Sequence, residues 1–310
     1  MFVEKITIGE KYPLAGLLTI PEDKNAPYPA IVLVHGSGPN DMDEKVGNTY
    51  TFKDLAKGFA ERGIATIRYD KRTKTYGKEM IKGPDASNMT VWEETIEDAL
   101  FATELIRKDP RIIPERVFIA GHSMGAMLAP RIDAEGGNYA GLILLAGSPR
   151  KLEEIIIEQS DNQLSRLNPV LRWIGNKQMK KLKSKIDGIY EMSDEEAKKK
   201  TFLSKYIKAY YFKEWGSKPS EGYLKNLKKP ILVTQGDMDF HVSVENDFNK
   251  YKEILANQPN ATFKLYPNLN HLFMPTVYGL DITKGIKEYK KHQHVEEYVM
   301  DDITKWVSRY

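Results

Sequence analysis

The stretch RVFIAGHSMGAMLAPRI, running from Arg116 to Ile132, decides how the chain folds. RVFIA is a short apolar run rich in β-branched residues and reads as a buried strand. AMLAPRI is compatible with a helix. Between them lies Gly121-His122-Ser123-Met124-Gly125, with a glycine two residues before the serine and another two after it. A strand that turns directly into a helix brings backbone against backbone, and only positions without side chains tolerate that approach. The turn pushes the serine hydroxyl outward, next to a helix N-terminus where developing negative charge is favoured. A G-x-S-x-G pattern in this strand–turn–helix setting marks Ser123 as a candidate nucleophile. The competing reading is a glycine-rich turn with an incidental serine.

Outward from this point, strands and helices alternate. FVEKITI (2–8) and LAGLLTI (14–20), separated by GEKYP, predict a hairpin. AIVLVHG (30–36), IATIRY (64–69), AGLILLAG (140–147), PILVTQG (230–236) and ATFKLYP (261–267) are further apolar runs of strand length. Helical patterns span about 52–62 and about 91–107, the second opening with Thr90 and Glu93 in capping-box spacing. Others follow Ser123 and Ser243, and a last one covers about 295–306. This alternation predicts a mostly parallel sheet with helices on both faces. The segment 151–229 breaks the rhythm. It has no strand-like run and reads as amphipathic helices, with a capping box at Ser193 and Glu196. The expected organisation is an α/β core of residues 1–150 and 230–310. A helical cap, residues 151–229, is inserted between the sixth and seventh strands, over the strand ends where open α/β sheets bind ligands.

The residues around the serine carry the chemistry. Acyl transfer needs two N–H donors for the oxyanion. The amide of Met124 is one candidate. The loop His35-Gly36-Ser37-Gly38-Pro39-Asn40 supplies the other, from Ser37 or, as second choice, Gly38. A phosphate-binding loop is the alternative, but HGSGPN lacks the further glycine and the lysine such loops use. A serine also needs a base. Of six histidines, His35 reads as a residue that orders its own loop. His122 neighbours the serine but points elsewhere on the turn. His292 and His294 form an H-x-H pair without a carboxylate or cysteine cluster to make it a metal site. His241 falls in the loop where the acid is expected. His271, in the loop after ATFKLYP, follows the serine with an acidic loop between them, the order Ser–acid–His. That acidic loop is Gly236-Asp237-Met238-Asp239-Phe240-His241-Val242. The spacing G-x-x-D-x-x-V selects Asp239 as the orienting acid, and Asp237 is expected to tie the loop together.

Composition narrows the function classes. The 310 residues carry 46 basic and 43 acidic side chains, a net charge of +3, which gives no reason to expect nucleic-acid binding. There is no cysteine, which excludes disulfides, thiolate metal sites and a cysteine nucleophile. No secretory signal and no membrane-spanning run is visible, so a soluble, cytoplasmic protein is expected. Nothing in the sequence fixes the oligomeric state.

Together VHGSGPND (34–41), RYDKRT (68–73), GHSMG (121–125), QGDMD (235–239) and LNHLF (269–273) resemble, in order, the motifs of bacterial α/β-hydrolase esterases of the dienelactone-hydrolase and cinnamoyl-esterase-like group. The resemblance implies an α/β-hydrolase fold and hydrolysis of a small-molecule carboxylic ester through an acyl-enzyme. Ser123 would be nucleophile, His271 base and then acid, and Asp239 the orienting carboxylate, with no metal and no organic cofactor. It makes Asp70 and Arg72 structural, although Arg72 could instead hold an anionic substrate. The same triad serves lactonases, thioesterases, peptidases and acyltransferases, and a binding protein that kept the fold without the chemistry is a further alternative. In the insert, Trp173, Tyr190, Phe202, Tyr206, Tyr210, Tyr211, Phe212 and Trp215 either pack the helices or line a pocket. Lysines 177, 180, 181, 183 and 185 read as a solvated helix face rather than a lipid-binding patch.

Overall fold

The computed structural model describes residues 1–22, 26–165, 168–202 and 207–310. Eight strands form one sheet: β1 (Phe2–Ile8), β2 (Leu14–Ile20), β3 (Tyr28–Val34), β4 (Ala65–Tyr69), β5 (Ile112–His122), β6 (Leu142–Leu145), β7 (Ile231–Gly236) and β8 (Ala261–Tyr266). Their spatial order is β1-β2-β4-β3-β5-β6-β7-β8. The hairpin expected at the N-terminus is present, with Phe2 opposite Ile20 and Ile8 opposite Leu14. β2 also runs antiparallel to β4, and every pairing from β4 to β8 is parallel.

The pleat explains why the central strands are apolar throughout. Ile31, Leu33, Phe118, Ala120, Ile143, Leu145 and Leu232 share one core with the helices Thr51–Ala60 and Glu297–Val307, which contribute Phe52, Phe59, Val299, Ile303 and Trp306. The alternate residues Val32, Val34, Val117, Ile119, Leu142 and Leu144 face the other way and are buried as well. The helices Glu97–Arg107 and Met124–Ile132 pack on the sheet. The helix expected from residue 91 opens differently. A π-turn at Trp92–Ile96 precedes the helix Glu97–Arg107. Thr90 Oγ1 accepts from the Trp92 amide rather than from Glu93, while Glu93 still accepts from the Thr90 amide.

Two compact units emerge. The first comprises Met1–Gly77, Glu94–Pro149 and Ser220–Tyr310, and the second Lys78–Glu93 and Arg150–Pro219. The second unit therefore includes residues 78–93, which lie well before the insert, whereas helix Ser220–Asn226 belongs with the sheet. Within the second unit, Leu152–Ser165 packs on Pro169–Glu191, and Asp194–Lys199 on Ala209–Ser217. The capping box at Ser193 and Glu196 has both of its hydrogen bonds. Phe202 and Phe212 meet edge to face with centroids 4.9 Å apart, and Tyr211 packs against Trp215. These four rings are buried, whereas Trp173 and the five lysines of Pro169–Glu191 are exposed. Tyr206 lies outside the described residues. No described helix is long and apolar enough to cross a membrane.

Candidate active site

Four segments following strand ends of the first unit carry the predicted residues. The first is the turn after β5. Ser123 has φ 53° and ψ −112°, a conformation that L-residues avoid. The turn is held because the Ser123 amide donates to the Leu145 carbonyl at 2.8 Å and the Ser123 carbonyl accepts from Ala126 and Met127. The glycine spacing has the steric cause anticipated for it. A Cβ at Gly121 would lie 2.2 Å from Gly125, and one at Gly125 would lie 2.1 Å from the Val34 carbonyl oxygen. The Met124 amide is the first of the helix Met124–Ile132 and has no intrahelical partner to donate to.

The second segment is the loop after β3. His35 is buried, and its Nε2–H donates to the Asp41 carbonyl at 3.1 Å. Burial lowers its pKa to about 4, so the ring is neutral and serves the loop, as its sequence position implied. The Gly36 amide is used internally, donating to Glu44 Oε1 at 2.8 Å. Ser37 and Gly38 are exposed. An added Cβ at Gly36 would lie 3.2 Å from Ser123 Cβ, so this loop runs directly beside the serine.

The third and fourth segments follow β7 and β8. Asp239 is buried, and its Oδ2 accepts from His271 Nδ1 at 2.7 Å. Its other oxygen accepts from the amides of His241 and Val242 at 2.7 and 3.0 Å. Asp237 instead accepts from the Asn268 amide at 2.7 Å and ties the two loops together. Gly236 permits this junction, since a Cβ there would sit 2.2 Å from the Leu269 carbonyl oxygen. His241 stacks near His271, with centroids 4.6 Å apart. Burial, together with the nearby His271, drives its pKa down to about 3.

The serine and histidine segments converge through His122. Its ring lies 4.8 Å from that of His271, and its Nε2–H donates to the His271 carbonyl at 3.0 Å. Among the described residues no hydrogen bond joins the Ser123 hydroxyl to the His271 ring; such bonds commonly tighten only when substrate is bound.

Several residues not singled out in the sequence reinforce this site. Glu44, 2% exposed, places Oε2 3.1 Å from His122 Nδ1, close enough for an ion pair but not aligned as a hydrogen bond. Burial opposes both charges. The pair nevertheless holds Glu44 below and His122 above their ordinary pKa values, because each stabilises the other. Lys71, also 2% exposed, donates to the Gly36 carbonyl at 2.9 Å and pairs with Glu94 at 2.8 Å. Of the residues in RYDKRT, Asp70 accepts from the Met42 amide at 2.8 Å. Arg72 is buried against Asp98 and Glu97, so its guanidinium is engaged within the protein. The His292 and His294 rings contact the Asn48 carbonyl and Asp54, and no group of metal-ligating residues exists among the described residues.

A parallel-dominated sheet in this strand order, with a strained serine on the turn after its fifth strand and a histidine–carboxylate pair on loops after the last two, defines an α/β-hydrolase. The chain belongs to the Hydrolase_4 family, described as serine aminopeptidase, S33, whose model matches residues 26–275. It is 33% identical to esterase EstD of Thermotoga maritima over 297 residues, covering 95% of this chain and 65% of that protein. It thus spans just under two thirds of that relative's length. Solved structures of similar fold include Est1E from Butyrivibrio proteoclasticus, with a TM-score of 0.56, 17% identity and coverage of 96% of this chain and 98% of that one. An esterase domain from Rhodothermus marinus has a TM-score of 0.58 and 13% identity, covering 100% of this chain and 99% of that one.

Proposed function

We propose that this protein is a serine hydrolase of carboxylic esters that acts through an acyl-enzyme, with Ser123 as nucleophile, His271 as base and Asp239 as its orienting acid. The observation that carries the reading is the buried His271–Asp239 pair, whose loop is bonded to the residue next to Ser123. Asp239 accepts from two amides and from the ring, and so fixes the tautomer with Nε2 free to take a proton. Ser123 attacks the ester carbonyl as its proton passes to His271 Nε2. The amides of Ser37 and Met124, with Gly38 as second choice for Ser37, stabilise the oxyanion. His271 then protonates the leaving alcohol and activates the water that releases the acid. The substrate is a small-molecule ester and the chemistry needs no cofactor. We assign the helical insert, residues 151–229 apart from the helix Ser220–Asn226 that groups with the sheet, as a cap from its position in the chain between β6 and β7, and the cytoplasm as the protein's location.

The likeness to an esterase favours esters. The family description favours a second reading, hydrolysis of peptide or other amide bonds, where His271 would protonate an amine. Fluorophosphonate labelling followed by mass spectrometry tests the nucleophile. The adduct is expected on Ser123, and Ser123→Ala should lose several orders of magnitude in turnover. Near-normal esterase activity in that variant would sink the assignment. A panel of p-nitrophenyl and hydroxycinnamate esters, lactones and aminoacyl amides separates the two substrate classes.

A further inference from the structure

Beneath the oxyanion loop lies a cation that the triad chemistry does not use. The Lys71 side chain is 2% exposed, and its Nζ donates to the Gly36 carbonyl at 2.9 Å, pairs with Glu94 Oε1 at 2.8 Å and lies 3.8 Å from Met124 Sδ. It therefore touches the segments of both proposed oxyanion donors. A buried ammonium is costly, and a buried ion pair is weak evidence of a stabilising role. Its placement is more informative. The Gly36 carbonyl and the Ser37 N–H belong to one planar peptide group. A charge-assisted hydrogen bond to the oxygen of that group withdraws electron density from it, and hydrogen bonds in series strengthen one another. Its position is fixed from several sides: the Gly36 amide donates to Glu44, and Asn40 Nδ2 donates to the Gly36 carbonyl at 3.1 Å and the Ser37 carbonyl at 3.2 Å.

We propose that Lys71 is a positioning residue of the oxyanion hole: its ammonium, bound to the Gly36 carbonyl, orients and polarises the peptide whose N–H at Ser37 receives the developing negative charge. The inference rests on the reading of Ser37 as an oxyanion donor. It assigns Lys71 an electrostatic effect on the transition state that is distinct from holding the loop together. An effect felt only as charge develops lowers kcat and leaves KM in place.

Two variants test this, Lys71→Met and the double variant Lys71→Met/Glu94→Gln, in which no carboxylate is left buried without its cation. Each is measured for kcat, KM and inhibition by a trifluoromethyl ketone, which becomes a charged tetrahedral adduct on the serine. Removing an oxyanion donor outright costs a hundred- to a thousandfold, so loss of its polarising partner should cost about tenfold in kcat. The ketone should lose affinity by a similar factor while KM stays within about twofold. If the single variant does not fold, the double variant decides. A folded double variant with wild-type kcat and ketone affinity overturns the proposal, as does a loss confined to KM or to thermal stability. Ser123→Ala run alongside separates the two readings. If it stays active, the serine mechanism itself fails; if it is inactive beside an unimpaired double variant, only the role of Lys71 falls.

Discussion

His271 Nδ1 and Asp239 Oδ2 lie 2.7 Å apart in the fold although 32 residues separate them in the chain. The carboxylate that makes this contact also accepts from two backbone amides, so its orientation is set before substrate arrives.

That relationship predicts the behaviour of Asp239→Asn. The amide occupies the same volume but favours the tautomer with the proton on Nε2, which cannot accept from Ser123. On the proposed triad, turnover should fall by about a thousand- to ten-thousandfold with KM little changed. Steady-state kinetics beside circular dichroism would check it, and a folded variant retaining a tenth of wild-type kcat would exclude Asp239 from this role.

Gly125→Ala should be among the most damaging single-methyl additions in the protein. The new carbon would meet the Val34 carbonyl oxygen at 2.1 Å, and backbone on both sides leaves no room to relax. A loss exceeding about 3 kcal/mol, or failure to accumulate in soluble form, is expected. Chemical denaturation of Gly125→Ala beside Gly77→Ala, where no atom lies within 4 Å of the added carbon, isolates the steric term.

The Glu44–His122 pair gives stability a defined pH window. His122 has a raised pKa, so its contribution is complete below its ordinary value of 6.5 and is lost as pH rises through the raised one. Glu44 has a lowered pKa, so its contribution is present above its ordinary 4.5 and is lost as pH falls through the lowered one. Glu44→Gln keeps the shape and removes the charge. It should cost about 3 kcal/mol near pH 6.5, and the cost should shrink toward pH 9. A penalty equal at both pH values would show that the charge contributes nothing.

Acid should destabilise the protein through histidines held neutral. The pKa values of His35 and His241 fall from 6.5 to about 4 and about 3 because burial disfavours their charged forms. Below pH 6.5 the unfolded chain takes up protons that the folded chain refuses. Stability is therefore complete above 6.5 and declines between 6.5 and 3, by up to about 1.4 kcal/mol per pH unit per group. Urea midpoints at pH 7.5, 6 and 5 measure this. His241→Gln should flatten the decline, and an unchanged slope would exclude His241 as a contributor.

The sequence by itself determined what depends on neighbours along the chain. The strand runs, the elbow around Ser123 and the order of the loops carrying Asp239 and His271 are written in local patterns of apolarity and glycine, because pleat and turn geometry act over a few residues. Separating Asp239 from Asp237 was also possible there, since their distances from Gly236 differ. Only the tertiary structure decided which side chains meet across long separations. Glu44 and Lys71 are ordinary charged residues in sequence, and what sets them apart is burial beside the loop after β3, a consequence of strands β3, β4 and β5 lying adjacent. Arg72 reads as structural in sequence, with anion binding as the alternative, and only the fold shows its partners to be Asp98 and Glu97. The grouping of residues 78–93 with the helical unit likewise had no local signal. A charge finds its partner through packing, and packing is a property of the whole fold rather than of any stretch of chain.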